Sequence, residues 1–392
     1  MRLGLVLLCA GYILSQFFRA FLAVLTRVLE RDVGAGPEDL AFASGLWFLT
    51  FAAAQIPVGI ALDKAGPRRT AAVLLAVGGG GGAALFALAT TPLHISLAMG
   101  LIGIGCSPVL MASYFIFARM YPPAMFATLG AMMIGVGSLG NLAGTAPLAW
   151  AVVALGWRET IGGLAVLSLI LAAGIWLTVK DPPRIDGTQK GSLLDLLKMP
   201  ALWLIFPLLM VNYAPAAGLR GLWVGPYLAD VHGATEALIG TATLVMGLAM
   251  VFGAFAYGPL DRILGTRKWV IFGGNAICAL ALAVLAIWPL PGLVAAVILF
   301  AVIGFFGMSF PMIMAHGRSF VPPHLAGRGI TFMNLVSIGG VGVMQVATGP
   351  LYRSVAGPDV PVTQPYAVLF GFFALLLVLG LAVYLFCRDR LD

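Results

Sequence analysis

The chain has 392 residues, 61% of them hydrophobic and 9% charged, with a mean hydropathy of +1.04. A water-soluble domain carries roughly 25% charged residues to cover its surface, so this composition excludes one and implies an integral membrane protein held in a lipid bilayer. The formal charge of +7 is dispersed over short loops between apolar runs, which is no footprint for nucleic acid, and four scattered cysteines (Cys9, Cys106, Cys278, Cys387) with no CxxC pair offer neither a disulfide framework nor a zinc site.

A membrane span needs about 20 mostly apolar residues. In chain order, twelve segments qualify: 3–25, 41–62, 70–90, 93–117, 127–152, 160–179, 201–228, 238–258, 268–289, 293–316, 328–352 and 366–386. The first opens with a basic residue and an apolar run, as a signal peptide does. Its run is long and no small-x-small site precedes polar sequence, so it reads as span 1. Span 1 contains SQFFRAFL, which places Arg19 deep in an apolar run at a cost of about 2.5–3.5 kcal/mol. Span 3 contains GGGGG, Gly78 to Gly82; without a preceding strand or a following Lys-Ser/Thr it reads as helix packing, not a phosphate loop. The one long polar connection, KDPPRIDGTQKGSLLDLLKMP, divides the chain into residues 1–180, a cytoplasmic linker 181–200, and residues 201–392, with six spans on each side.

With the N-terminus inside, sixteen basic residues fall on the inner side and four (Arg27, Arg31, Arg158, Arg353) on the outer side. The excess places both termini in the cytoplasm of a cell whose inner membrane holds the chain. Arg19 and Arg220 belong to neither side. The two halves also repeat. GIALDKAGPRRT after span 2 and GPLDRILGTRKW after span 8 share a glycine, an aspartate followed by a base, a second glycine and a basic pair, and Asp63 and Asp261 are 198 residues apart. ARMYPP and GRSFVPP end spans 4 and 10 with Arg119 and Arg318 offset by 199; Arg19 and Arg220 are offset by 201. Six spans per half means parallel repeats, related by an axis along the membrane normal.

The GIALDKAGPRR loop resembles the signature loop of the major facilitator superfamily, written GxxxDRxGRR, with Lys64 for its arginine and Pro67 added in the turn. The degenerate second copy, RMYPP, GWR at Gly156 to Arg158 and the six-plus-six layout match as well. The resemblance implies an all-α integral membrane fold, twelve transmembrane helices in two pseudo-symmetric six-helix bundles, with spans 1, 4, 7 and 10 lining a central path. It also implies a gate at the signature loops: Asp63 with Arg68 and Arg69, facing Arg119 and the start of span 11 near Gly329, and Asp261 with Arg318 as the weaker copy. Loop charges of this kind are otherwise simply solvated.

Polar residues at membrane depth face the bundle interior. Tyr12, Ser15, Gln16 and Arg19 share one helical face; span 7 carries Asn212, Tyr213 and Arg220; Tyr114 lies in span 4 and Asn141 in span 5. Spans 3, 6, 9 and 12 carry almost none, span 9 only Asn275, and read as peripheral. All fifteen acidic residues fall in loops or at span ends, so neither deep arginine has an evident countercharge in the chain. An anionic ligand would supply it, and a guanidinium fork suits a carboxylate or phosphate. The arginines could instead snorkel outward or bond helix carbonyls. An arginine pair in spans 1 and 7 resembles organophosphate:phosphate antiporters and anion:cation symporters of the superfamily; those antiporters also use a histidine in span 5, absent here.

The expectation is therefore a secondary transporter, not an enzyme, working as a monomer without cofactor or bound metal. Its substrate is a small organic anion, a carboxylate, bound by Arg19, Arg220, Tyr12, Gln16, Tyr114, Asn141, Asn212 and Tyr213. The alternatives are an exporter of neutral or amphipathic compounds lined by Trp47, Phe51, Trp223, Phe305 and Phe306, a receptor-like protein without flux, and a copper transporter using Met246, Met250, Met308, Met312 and Met314. His316 is the one histidine placed to carry a proton.

Overall fold

The computed structural model describes residues 2–121, 123–183, 196–322 and 326–391. Among them the regular structure is all helix, and the chain divides into two compact units, Met1–Asp186 and Gly187–Asp392. Ten helices are long and apolar enough to cross a membrane, or twelve if each of two bent helix pairs is one span. Both bent pairs fall on expected spans: Leu3–Phe17 with Leu22–Val33 is span 1, and Met132–Ala143 with Ala146–Leu155 is span 5, bent by 56° and 42°.

Most helix limits have a local cause. Spans 2, 3, 4 and 7 begin with proline in the first turn, where its missing N–H costs nothing. Span 1 ends at Gly34 and span 7 at Gly233, with φ of +71° and +64°. In each, the glycine N–H bonds the carbonyl four residues back and the next alanine reaches six back, Ala35 to Leu29 and Ala234 to Leu228. The same helix-ending turn, which needs a left-handed residue, thus recurs 199 residues later.

In unit 1, span 2 (Pro37–Leu62) packs on span 4 (Pro92–Phe117), span 3 (Pro67–Ala87) on spans 4 and 6 (Trp157–Thr178), and span 1 on spans 5 and 6. In unit 2 the neighbours repeat: span 8 (Glu236–Leu264) packs on span 10 (Leu293–Arg318), span 9 (Lys268–Ile287) on spans 10 and 12 (Gln364–Tyr384), and span 7 (Pro200–His232) on spans 11 (Phe332–Val355) and 12. The glycine run of span 3 acts as a packing surface: a Cβ on Gly78 would lie 2.6 Å from the Gly105 Cα and the Leu101 carbonyl of span 4. Likewise, a Cβ on Gly140 of span 5 would run into the Ile13 carbonyl, so span 5 seats span 1 at backbone distance.

Two expectations change. Span 1 is not one helix: it breaks over residues 18–21, so Arg19 lies beyond the face shared by Tyr12, Ser15 and Gln16. No proline or glycine marks the break. The chain tightens through i to i+3 bonds, Arg19 N–H to Gln16 and Ala20 N–H to Phe17, while Phe17, Phe18 and Phe21 pack edge to face and Phe21 reaches Phe86 of span 3. Span 9, expected to be peripheral, turns its one polar residue at depth inward: Asn275 is fully buried and bonded to span 7.

Candidate functional site

The polar residues of unit 1 gather where span 1 breaks. Gln16 donates to the Tyr12 hydroxyl at 3.0 Å one turn back, and both side chains are buried. Beyond the break, the Arg19 guanidinium lies 5.2 Å from the Trp47 ring and 5.0 Å from the Phe51 ring, which stack on each other at 5.1 Å. Each face returns about 0.5–2 kcal/mol to the cation. Neither satisfies an N–H, and the penalty for burying an unpaired charge is several kcal/mol. Among the described residues no carboxylate pairs with Arg19, and its Nε is buried without a hydrogen-bond partner. The Trp47 indole nitrogen and the Ser15 hydroxyl are buried and unmatched too, Ser15 having only the weakly bonding Cys106 thiol beside it. Tyr114 and Asn141 are half-buried, and both are engaged by other groups.

In unit 2 the arginine also sits on irregular backbone. Span 7 is interrupted at Tyr213, resumes as α-helix over Ala214–Gly218 and widens into a π-turn over Leu219–Trp223, which carries Arg220. Such bulges re-aim side chains and recur at functional sites. Arg220 is 3% exposed and takes part in interactions within the protein. The Tyr213 ring lies 5.4 Å from Phe310 of span 10. Asn212 is bound inward: its amide donates to Asn275 at 2.6 Å and to Ser309 at 2.9 Å, joining spans 7, 9 and 10, and only its Oδ1 stays unmatched. Gln345, a polar residue at membrane depth in span 11 that stands outside the expected binding set, is 1% exposed with both amide atoms unpaired beside Gly218.

The signature loops are wired differently from the expected gate. The Asp63 carboxylate lies outside the described residues. Arg68 turns to Asp181, which follows span 6: the carboxylate accepts the Arg68 backbone N–H at 2.9 Å and lies 3.7 Å from its guanidinium. Arg119 stacks on Phe115 and donates to the Pro183 carbonyl, while Arg69 is exposed. Asp261 pairs with Arg267 at 2.8 Å, six residues on, instead of with Arg318, which is exposed. Asp389, after span 12, plays the part of Asp181: it accepts the backbone N–H groups of Arg267 and Lys268 and the Thr266 hydroxyl at the start of span 9. His316 is held at both nitrogens, by the Tyr384 hydroxyl at 2.6 Å and the Arg388 carbonyl at 3.0 Å. A carbonyl only accepts, so Nε2 carries the proton and Nδ1 accepts from Tyr384. Met246 and Met250 close over Gly304 between spans 8 and 10, and among the described residues no three His, Cys, Asp or Glu converge as a metal site.

A sequence profile of the Major Facilitator Superfamily matches residues 8–224 and 216–391. AraJ of Escherichia coli K12 is 25% identical over 286 residues, 70% of this chain and 71% of AraJ. The uncharacterised MFS-type transporter YceJ of Bacillus subtilis 168 is 29% identical over 229 residues, 56% of this chain and 53% of YceJ. Among solved structures, a bacterial homologue of the human lysosomal transporter Spinster superposes with a TM-score of 0.79 at 18% identity, covering 97% of this chain and 95% of that one. The xylose transporter XylE of E. coli gives 0.73 at 14% identity, over 99% and 96% of the two chains. With two units of matching neighbour pattern, up to twelve spans and a family profile that runs from residue 8 to residue 391, the chain belongs to the Major Facilitator Superfamily and is a secondary membrane transporter that works by alternating access.

Proposed function

We propose that the transported solute is a small organic anion, a carboxylate, bound by Arg19 and Arg220, with Tyr12, Gln16, Tyr114, Asn141, Asn212 and Tyr213 supplying hydrogen bonds. One observation supports this reading most: the Arg19 guanidinium rests on two aromatic faces, with a buried unmatched Nε and no carboxylate partner among the described residues. An anion would complete it. Protons carried on the substrate, or exchange for a second anion, would couple the movement. The same proposal puts the monomer in the cytoplasmic membrane with both termini inside.

Purified protein in liposomes tests it. Uptake of radiolabelled monocarboxylates should fall at least tenfold in Arg19→Gln and in Arg220→Gln. Unchanged uptake in both variants defeats the clamp. A second reading, a neutral hydroxylated solute, is favoured by the unpaired donor and acceptor of Gln345 and by superposition on a D-xylose–proton symporter and a nucleoside transporter. Competition by polyols but not by carboxylates would select it.

A further inference from the structure

We infer that the anion's charged group is held chiefly in unit 1, where three buried donors are left without a good acceptor: Arg19 Nε–H, Trp47 Nε1–H and the Ser15 hydroxyl, and that the ligand is a monoanion. The inference rests on the anion reading above and assigns its recognition chiefly to one half of the molecule.

Three observations carry it. The Trp47 side chain is fully buried, yet its indole N–H has no acceptor. An indole is a donor only, so nothing but an acceptor can complete it. The Ser15 hydroxyl, 1% exposed on the last turn before the break, has only the weakly bonding Cys106 thiol beside it. The Arg19 guanidinium lies over both the Trp47 and Phe51 rings, and its buried Nε–H has no hydrogen-bond partner. A carboxylate fits a guanidinium edge side-on, one oxygen on Nε–H. Trp47 thus serves as a platform for the cation and as a donor in its own right, not as one wall of an apolar cavity.

Charge selects between anions. Arg19 is the one cation of unit 1 at membrane depth in the sequence. One carboxylate neutralises it, whereas a dianion such as a phosphate ester leaves an excess negative charge beside a half-buried arginine. Arg220, by contrast, is already engaged within the protein. Its removal should act through the shape of the span 7 π-turn as well as through charge.

The test uses full-length protein in detergent, with lactate, benzoate and gluconate as monoanionic probes and inorganic phosphate and succinate at pH 8 as dianionic ones. Thermal shift finds which probes bind, and calorimetry gives their Kd. We expect at least one monocarboxylate to bind and neither dianion to bind more tightly. Trp47→Phe keeps the ring and deletes the N–H, and it should weaken that binding about tenfold. Arg19→Lys keeps the charge and deletes the fork, with a similar loss, and Ser15→Ala should cost about threefold. Trp203→Phe, at an exposed tryptophan, should bind like the parent. The ligand-free melting temperature of each variant separates lost binding from lost folding. Monocarboxylate binding that survives both Trp47→Phe and Ser15→Ala overturns the subsite while leaving the transport reading intact. Tighter binding of phosphate or succinate overturns the monoanion assignment. Absence of binding by every monocarboxylate overturns both this inference and the reading it rests on.

Discussion

Asp389 shows how one carboxylate near the end of the chain organises a helix more than a hundred residues away. Burial pushes its carboxyl up, but the hydrogen bonds from Thr266 and from the Lys268 and Arg267 backbone together outweigh that and hold it below the usual carboxylate range. A depressed pKa means its contribution to stability is complete above about pH 4 and is lost as pH falls through the lower, folded-state value. Asp389→Asn should lower stability at pH 7 by about 1 kcal/mol or less, since the group is exposed and the cap is shared. In thermal melts the gap between variant and parent should narrow progressively as pH falls below about 4; a gap that does not narrow at all would show that the carboxylate charge is not what holds the cap. Neither Asp181 nor Asp389 could be read as a cap in the sequence. A helix N-cap is normally sought one residue before the helix, and these lie 113 and 121 residues from the N–H groups they bond. Asp261 was legible as an important charge, but its partner was not. The repeat pointed to Arg318, while Arg267 in the same tight loop is nearer and half-shielded from water.

At the scale of the helix, composition located all the spans because lipid forces every backbone group to bond within its own segment. Periodicity also placed Tyr12, Ser15 and Gln16 on one face. What it could not show was the bend at Arg19, since neither proline nor glycine is present and the cause is packing: three phenylalanines, the aromatic pair under the arginine, and span 5 pressed against the residues just before. The glycines that permit such pressing give a prediction. Gly78→Ala places a methyl 2.6 Å from the backbone of span 4, which cannot yield as a side chain does, and should cost roughly 1–3 kcal/mol. Gly273→Ala, in mid-helix with nothing near its Cβ, should be neutral or stabilising by up to about 1 kcal/mol. Melting in detergent checks both; equal effects would mean that the glycine run of span 3 is not a packing surface.

For the molecule as a whole, the internal repeat was the most informative feature of the sequence. Offsets of 198 to 201 residues anticipated two units, and those units share their pattern of neighbouring spans and their glycine helix ends. The charge count makes an orientation prediction. A single cysteine at Arg353, with the four native cysteines replaced by serine, should react with an impermeant maleimide in intact cells. One at Lys64 should react only after the membrane is opened, and the reverse pattern would invert the topology.

The two aspartate caps also bear on how the chain could have arisen. Asp181 and Asp389 each follow the sixth helix of their unit and fasten onto the start of its third, using only residues of that unit. Each half therefore closes on itself, and neither depends on the other for the cap on its third helix. Residues 1–186 and 187–392, expressed as separate polypeptides in one cell, should each insert and together restore uptake, as expected if an ancestral six-helix chain once paired without being fused.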